Sequence, residues 1–177
     1  MRYYLNIPVP ADLSERVSAF EQKWQGTSKS APHITLVIPR LILPGSSEAD
    51  LVSQLESALS TLPAFPIRML GLDYFGNKTV IHIPVDRSAE FALCHETAMD
   101  AVEGILEPPT GEHASISHPH ITLATKLSPE KGERAWQEAL TQDWSGDFVC
   151  NRVQLLRIGP RDPHWIVVAT LPFQSRA

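Results

Sequence analysis

Seven segments of the chain carry the alternating or β-branched apolar pattern that is typical of strands. Residues 73–77, with Gly76 at the tip, are expected to be the hairpin loop between the third and fourth of them, and Gly159-Pro160 and Asp162-Pro163 form the turn between the last two. The predicted strands are residues 2–8, 31–39, 65–72, 78–85, a strand that begins after residue 117, and residues 148–158 and 165–173.

Apolar residues at helical spacing predict four helices between these strands. Asp12 and Glu15 form an expected capping box at the first helix, and Ser128-Pro129 is typical of the start of the fourth. Because strands and helices do not alternate strictly, the order predicts an α+β protein with largely antiparallel sheet. The expected buried faces are Leu13, Val17, Phe20 and Trp24; Leu51, Leu55, Ala58, Leu59 and Leu62; Phe91, Ala98, Val102 and Ile105; and Ala135, Trp136, Ala139 and Leu140.

One five-residue stretch, Pro-His-Ile-Thr-Leu, occurs twice, at residues 32–36 and 119–123. In a strand, His and Thr two positions apart project from one face, whereas Ile and Leu project from the other face into a core. Each copy is followed by a helix and then a strand pair, and the copies lie about half the chain apart. We therefore expect one domain over residues 1–177, built from two pseudo-repeated lobes.

The composition is that of a soluble globular protein, with 43% hydrophobic and 20% charged residues. A net charge of -5 does not favour a broad basic surface for duplex nucleic acid. Cys94 and Cys150 have no metal-binding spacing, which favours reduced, partly buried thiols and a cytoplasmic location. The chain has neither a membrane-length apolar run nor a signal-peptide pattern at Met1-Arg2-Tyr3-Tyr4, so no membrane association is expected.

The two His/Thr pairs suggest a specific chemistry. Imidazoles titrate near neutrality, so two of them beside one phosphorus atom can act as general base and general acid without a metal or another cofactor. The hydroxyls can donate hydrogen bonds to non-bridging phosphate oxygens. Acyl transfer is less favoured, because the chain has no GxSxG stretch, and neither GxxxxGK[ST] nor GxGxxG is present.

On these residues the chain resembles the 2H phosphoesterases, the group of 2′-5′ RNA ligase-like proteins and cyclic nucleotide phosphodiesterases that carry two HxTx motifs. The resemblance implies a bilobal fold in which two mainly antiparallel sheets face each other across a central cleft, with helices packed on the outside. It implies metal-independent hydrolysis of a 2′,3′-cyclic phosphate or a related nucleotide or RNA-end phosphodiester. His33 and His120 match the catalytic pair, and Thr35 and Thr122 match the phosphate-binding hydroxyls.

Further residues are candidates for substrate contacts. Relatives that process RNA ends often carry Arg after the second motif, where this chain has Thr125 and then Lys126. Lys126 and Arg157 are candidates for phosphate contacts, and Phe75 and Trp165 are candidates for stacking on a base. The expected partner is a small nucleotide or an RNA 2′,3′-cyclic phosphate end, bound by a monomer.

Two alternatives stay open. A metallohydrolase could use the HxH at residues 118–120 together with His82, His113 or His33, or the chain could be an inactive module that binds nucleotides or RNA ends. Otherwise His82 is expected to be a hydrogen-bonded strand residue and His95 a structural residue. For the acid–base reaction we expect His120 to activate water and His33 to protonate the leaving ribose oxygen.

Overall fold

A computed structural model describes residues 1–25, 28–109 and 118–174 of the chain. These residues form an α+β structure of four helices and nine strands, which confirms the predicted class. In chain order the elements are β1 (Arg2–Pro8), α1 (Ala11–Trp24), β2 (His33–Leu41), α2 (Glu48–Leu59), β3 (Phe65–Leu70), β4 (Asp73–Phe75), β5 (Val80–Pro84), α3 (Ala89–Val102), β6 (His120–Ala124), α4 (Pro129–Ala139), β7 (Ser145–Cys150), β8 (Arg152–Ile158) and β9 (Ile166–Pro172).

The strands form two antiparallel sheets. The larger sheet has seven strands in the order β4-β5-β6-β2-β1-β8-β9, and the smaller sheet pairs β3 with β7. Two antiparallel sheets were expected, but both motif strands belong to the larger one, where Ile34 of β2 pairs with Ile121 of β6. The two copies of the motif are therefore neighbours near the middle of a single sheet.

Strand partners differ from the predicted hairpins in two places. Residues 73–75, expected to be loop, form β4 and pair with β5, so the turn of this hairpin lies at Gly76–Thr79 and β3 pairs with β7 instead. The predicted strand over residues 148–158 is divided at Asn151, where β7 in one sheet ends and β8 in the other begins. Burial changes phase at this break, because Asn151 and Arg152 are both exposed between buried Cys150 and Val153. Apolar residues on either side hide this change, since they indicate which face is buried and not which strand is the neighbour.

Helix α1 begins without the predicted capping box. Pro10 occupies the N-cap position and no side chain caps the helix, so Asp12 lies inside the first turn, where its charge still favours the helix dipole. A capping box is present at α2, where Ser47 and Asp50 satisfy each other's backbone N–H groups. Capping therefore depends on where the chain enters the helix as well as on residue type.

Helix α4 begins as predicted, with Ser128 accepting a hydrogen bond from the backbone of Lys131 and Pro129 in the first turn. Leu140 is not on its buried face: it is the C-cap residue and is 54% exposed. Ala135 and Ala139 are buried, as predicted, and Gly132 is buried with them. The absence of a side chain at Gly132 lets α4 approach the backbone of Lys78, in the turn between β4 and β5.

The two motif strands have the predicted register. The Ile and Leu side chains of the two motif copies are fully buried, whereas the His and Thr side chains between them are only partly buried. Cys94 and Cys150 are free, as expected, and are buried more completely than expected. No helix in the described parts of the chain has the length and apolar character needed to cross a membrane. Organisation as one domain with two lobes stays a prediction.

Candidate active site

The antiparallel pairing of β2 and β6 brings both His/Thr pairs together. With Ile34 opposite Ile121, His33 lies beside Thr122 and Thr35 lies beside His120. All four side chains line one pocket of about 190 Å³. The structure therefore places two imidazoles and two hydroxyls around one small volume, as the sequence predicted.

Both histidines are held by the same local hydrogen bond. The Nδ1 atom of His33 lies 2.7 Å from the carbonyl oxygen of Ala31, and Nδ1 of His120 lies 2.8 Å from that of His118. Because a carbonyl only accepts, Nδ1 carries the proton and Nε2 is left free for proton exchange. In both copies a proline lies between the histidine and the residue whose carbonyl accepts this hydrogen bond. Because proline restricts the preceding residue to an extended backbone, both copies form the same hydrogen bond.

Aromatic residues pack around His33. The Tyr4 ring lies 5.4 Å from the His33 ring, and Trp165 packs edge-on against Tyr4 at 4.4 Å. Burial lowers the pKa of His33 below its ordinary value of 6.5; the hydrogen bond to Ala31 opposes this, and the charge of His120 lowers the pKa further. The site thus favours a neutral His33.

His120 has its own neighbours, Phe75 and His82. Phe75 stacks on His82 at 4.0 Å, and the ring of His120 lies 5.3 Å from Phe75 and 5.0 Å from His82. His82 is 2% exposed, and its Nδ1 has no hydrogen-bond partner among the described residues, contrary to our expectation. Burial, reinforced by the charge of His120, lowers the pKa of His82 to about 4, so this ring is neutral near pH 7.

Helix α1 adds two site residues that the sequence analysis missed, Glu21 and Gln25. Both line the pocket that holds the two His/Thr pairs. Glu21 is 7% exposed, and burial raises the pKa of its carboxyl group to about 7. Gln25 accepts a hydrogen bond from the backbone N–H of Thr125 and donates to Oε1 of Glu21 at 3.4 Å. A signal was available, because Glu21 follows Val17 by four positions and so lies on the buried face of α1.

Two larger cavities adjoin the pocket of the His/Thr pairs and contain two of the predicted contact residues. Trp165 lines a cavity of about 500 Å³, and Lys126 lines one of about 430 Å³ together with Lys29 and Lys131. Phe75 reaches the site through its contact with His120. Arg157 lines none of these three cavities and instead forms an ion pair with Glu48 at 3.7 Å.

The HxH at residues 118–120 does not form a metal centre with the described residues. His118 is exposed, and its backbone carbonyl accepts the hydrogen bond from His120. Outside the undescribed residues 26–27, 110–117 and 175–177, no group of three or more His, Cys, Asp or Glu side chains could hold a metal ion. His113, one of the proposed ligands, lies outside the described residues.

Comparisons with known proteins place the chain in a family. The solved structure of TT0787 from Thermus thermophilus aligns over 97% of both chains with a TM-score of 0.66 and 18% identity. That of E. coli LigT complexed with 3′-AMP aligns over 98% of both chains with a TM-score of 0.59 and 16% identity. The comparison with curated proteins gave no match. The family model described as the 2′-5′ RNA ligase superfamily matches residues 9–162, and the chain therefore belongs to this superfamily of 2H phosphoesterases.

Proposed function

We propose that the protein is a metal-independent phosphodiesterase that opens 2′,3′-cyclic phosphates of nucleotides or RNA ends. The observation that carries this proposal is the pair of imidazoles, each with Nε2 free, that share one pocket with two threonine hydroxyls. Membership of a phosphoesterase superfamily supports the reaction class. The structural relative LigT has been solved with 3′-AMP and with phosphate, which supports a nucleotide substrate.

The proposed reaction is an in-line displacement at phosphorus. Neutral His33 takes a proton from water through Nε2 while the water oxygen forms a bond to phosphorus. Protonated His120 gives its Nε2 proton to the ribose oxygen as the bond between that oxygen and phosphorus breaks. Thr35 and Thr122 donate hydrogen bonds to the non-bridging oxygens, whose negative charge grows in the transition state.

This division of labour reverses the one predicted from sequence. A general base must begin neutral, and burial keeps the pKa of His33 below 6.5. The charge of His120 lowers the pKa of both His33 and His82, so a protonated His120 keeps its two neighbours neutral. Activity should be bell-shaped in pH, with the acidic limb below pH 6.5 because His33 must lose its proton.

The surrounding residues have proposed supporting roles. Phe75 and His82 pack against the ring of His120 and fix its orientation. Lys126, in the lysine-lined cavity, attracts a neighbouring phosphate of the substrate, and Trp165 forms a wall for the nucleoside on the other side. The monomeric state and the cytoplasmic location remain predictions.

The test compares His33→Ala and His120→Ala on a 2′,3′-cyclic nucleotide and on an aryl phosphodiester. Each variant should lose roughly 10²- to 10⁴-fold in kcat on the cyclic nucleotide. A phenolate leaves with little help from an acid, so the aryl ester should rescue His120→Ala and not His33→Ala. Selective rescue of His33→Ala would restore the original assignment, and equal losses on both esters would mean that the histidines only position phosphate.

His118→Ala is the matched control. The substitution removes the imidazole of His118 but keeps its backbone carbonyl, which accepts the hydrogen bond from His120. Its activity, and that of the wild type after prolonged chelation, should be unchanged. Loss in both measurements would favour the metallohydrolase. A wild-type protein that binds cyclic nucleotides without turnover would be the inactive binding module.

A further inference from the structure

The catalytic pocket is too small for a whole nucleotide, and the cavity of about 500 Å³ beside His33 continues from it. The pocket, at about 190 Å³, lies below the usual range of small-molecule sites, whereas the adjoining cavity lies within it. The two share one wall made of Glu21, Ser28, Ser30, Ala31 and Pro32. A substrate with its phosphate between the histidines can therefore extend directly into the larger cavity.

This cavity has a fixed aromatic wall. Trp165 is partly exposed there, its backbone N–H donates to the carbonyl oxygen of Lys29 at 3.0 Å, and its ring packs against Tyr4. The hydroxyl of Tyr4 is in turn 2.6 Å from Oγ of Ser30. An indole ring that is fixed in position beside polar groups is the type of surface on which nucleobases stack.

Glu21 supplies the carboxylate of the cavity lining, and the remaining polar side chains of the lining are amides, hydroxyls, Lys29 and His164. Glu21 is only 7% exposed, and Gln25 links its carboxyl group to the backbone of Thr125 just after the second motif. This buried hydrogen-bond acceptor lines both the pocket of the histidines and the larger cavity. It can therefore form hydrogen bonds with the part of a substrate that lies next to the reacting phosphate.

We propose that this cavity is the nucleobase subsite and that Glu21 selects guanine by accepting hydrogen bonds from its N1–H and N2–H groups. The inference rests on the proposed function. A carboxylate is an acceptor with two oxygens, and guanine offers two adjacent donors on its Watson–Crick edge. Adenine and cytosine place a ring acceptor next to their amino group, and uracil has one N–H between two carbonyl groups, so each pairs less well with a carboxylate.

The experiment measures kcat/KM for the 2′,3′-cyclic phosphates of guanosine, inosine, adenosine and uridine at one slightly alkaline pH. The wild type should prefer guanosine over adenosine and uridine by at least about tenfold, the effect of one or two hydrogen bonds to a charged group. Inosine keeps N1–H but lacks the 2-amino group, so its value should be intermediate. This comparison needs no variant and is unaffected by folding defects.

Glu21→Gln should lower the ratio of kcat/KM for guanosine to kcat/KM for adenosine, and the corresponding ratio to uridine, by about tenfold or more, whatever its effect on the individual rates. Glu15→Gln, the same change at an exposed position of α1, should behave as the wild type. Equal rates on all four wild-type substrates, or an equal loss on every base in Glu21→Gln, would overturn the inference.

Calorimetric binding of guanosine and adenosine 3′-monophosphates separates this inference from the proposed function. If no cyclic nucleotide is hydrolysed but the guanosine compound binds more tightly and Glu21→Gln removes the difference, the subsite stands and the proposed reaction fails. If hydrolysis occurs and the two compounds bind equally, the reaction stands and the guanine subsite fails.

Discussion

Gly132→Ala tests how closely α4 packs on the hairpin that supports His120. A Cβ atom at Gly132 would lie 2.3 Å from the carbonyl oxygen of Lys78 and 3.1 Å from its carbonyl carbon. Ordinary contact needs about 1 Å more, so either the helix or the turn must move. The turn is tight, with Lys78 at a φ of 62° and a hydrogen bond from Thr79 N–H to the oxygen of Gly76.

The expected change in the free energy of unfolding combines two opposing effects. Overpacking costs about 1–3 kcal/mol. Replacing glycine by alanine inside a helix stabilises the helix by up to about 1 kcal/mol. Because the clash is with backbone, which cannot rotate away, overpacking outweighs the helix preference. We expect a net loss of about 1–2 kcal/mol.

Urea unfolding of Gly132→Ala, with Gln137→Ala on the exposed face of α4 as control, measures this loss. The hairpin carries Phe75 and His82 against His120, so kcat should fall as well. A free energy of unfolding within about 0.5 kcal/mol of the wild type would refute the reasoning, since surface substitutions produce changes of that size.

Three further predictions concern the pocket and its support. Thr35→Val and Thr122→Val should each lower kcat on a cyclic nucleotide by roughly 10²-fold, with Thr→Ser milder, and wild-type rates in both Val variants would contradict the phosphate contacts. Leu36→Ala and Leu123→Ala, at fully buried positions, should each cost about 2–5 kcal/mol in denaturant unfolding; losses well under about 1 kcal/mol would contradict that packing. The pKa of Glu21 is raised from 4.5 to about 7, so its ionisation disfavours folding as pH rises through this interval. Glu21→Gln should therefore raise the free energy of unfolding relative to wild type at about pH 8 more than at about pH 4, and an equal effect at both would refute this.

The repeated motif shows which structural features the local sequence pattern predicts. Strand periodicity alone predicted that the aliphatic residues of each copy are buried and that His and Thr share the opposite face, and the burial of Ile34 and Ile121 agrees. The start of α4 at Ser128-Pro129 was likewise predictable, because capping involves neighbours in sequence. The sequence by itself also indicated an α+β class, since element order and spacing are local properties.

Only the tertiary structure decided which strands pair and what surrounds each histidine. The predicted strand over residues 148–158 divides between two sheets at Asn151, and Glu21 reaches the pocket from a helix that carries neither motif. Spacing along a strand determines the face of each side chain, whereas the choice of partner depends on burying whole faces contributed by distant segments. The burial that makes His33 the proposed base arises in the same way, from residues that meet only in the folded chain.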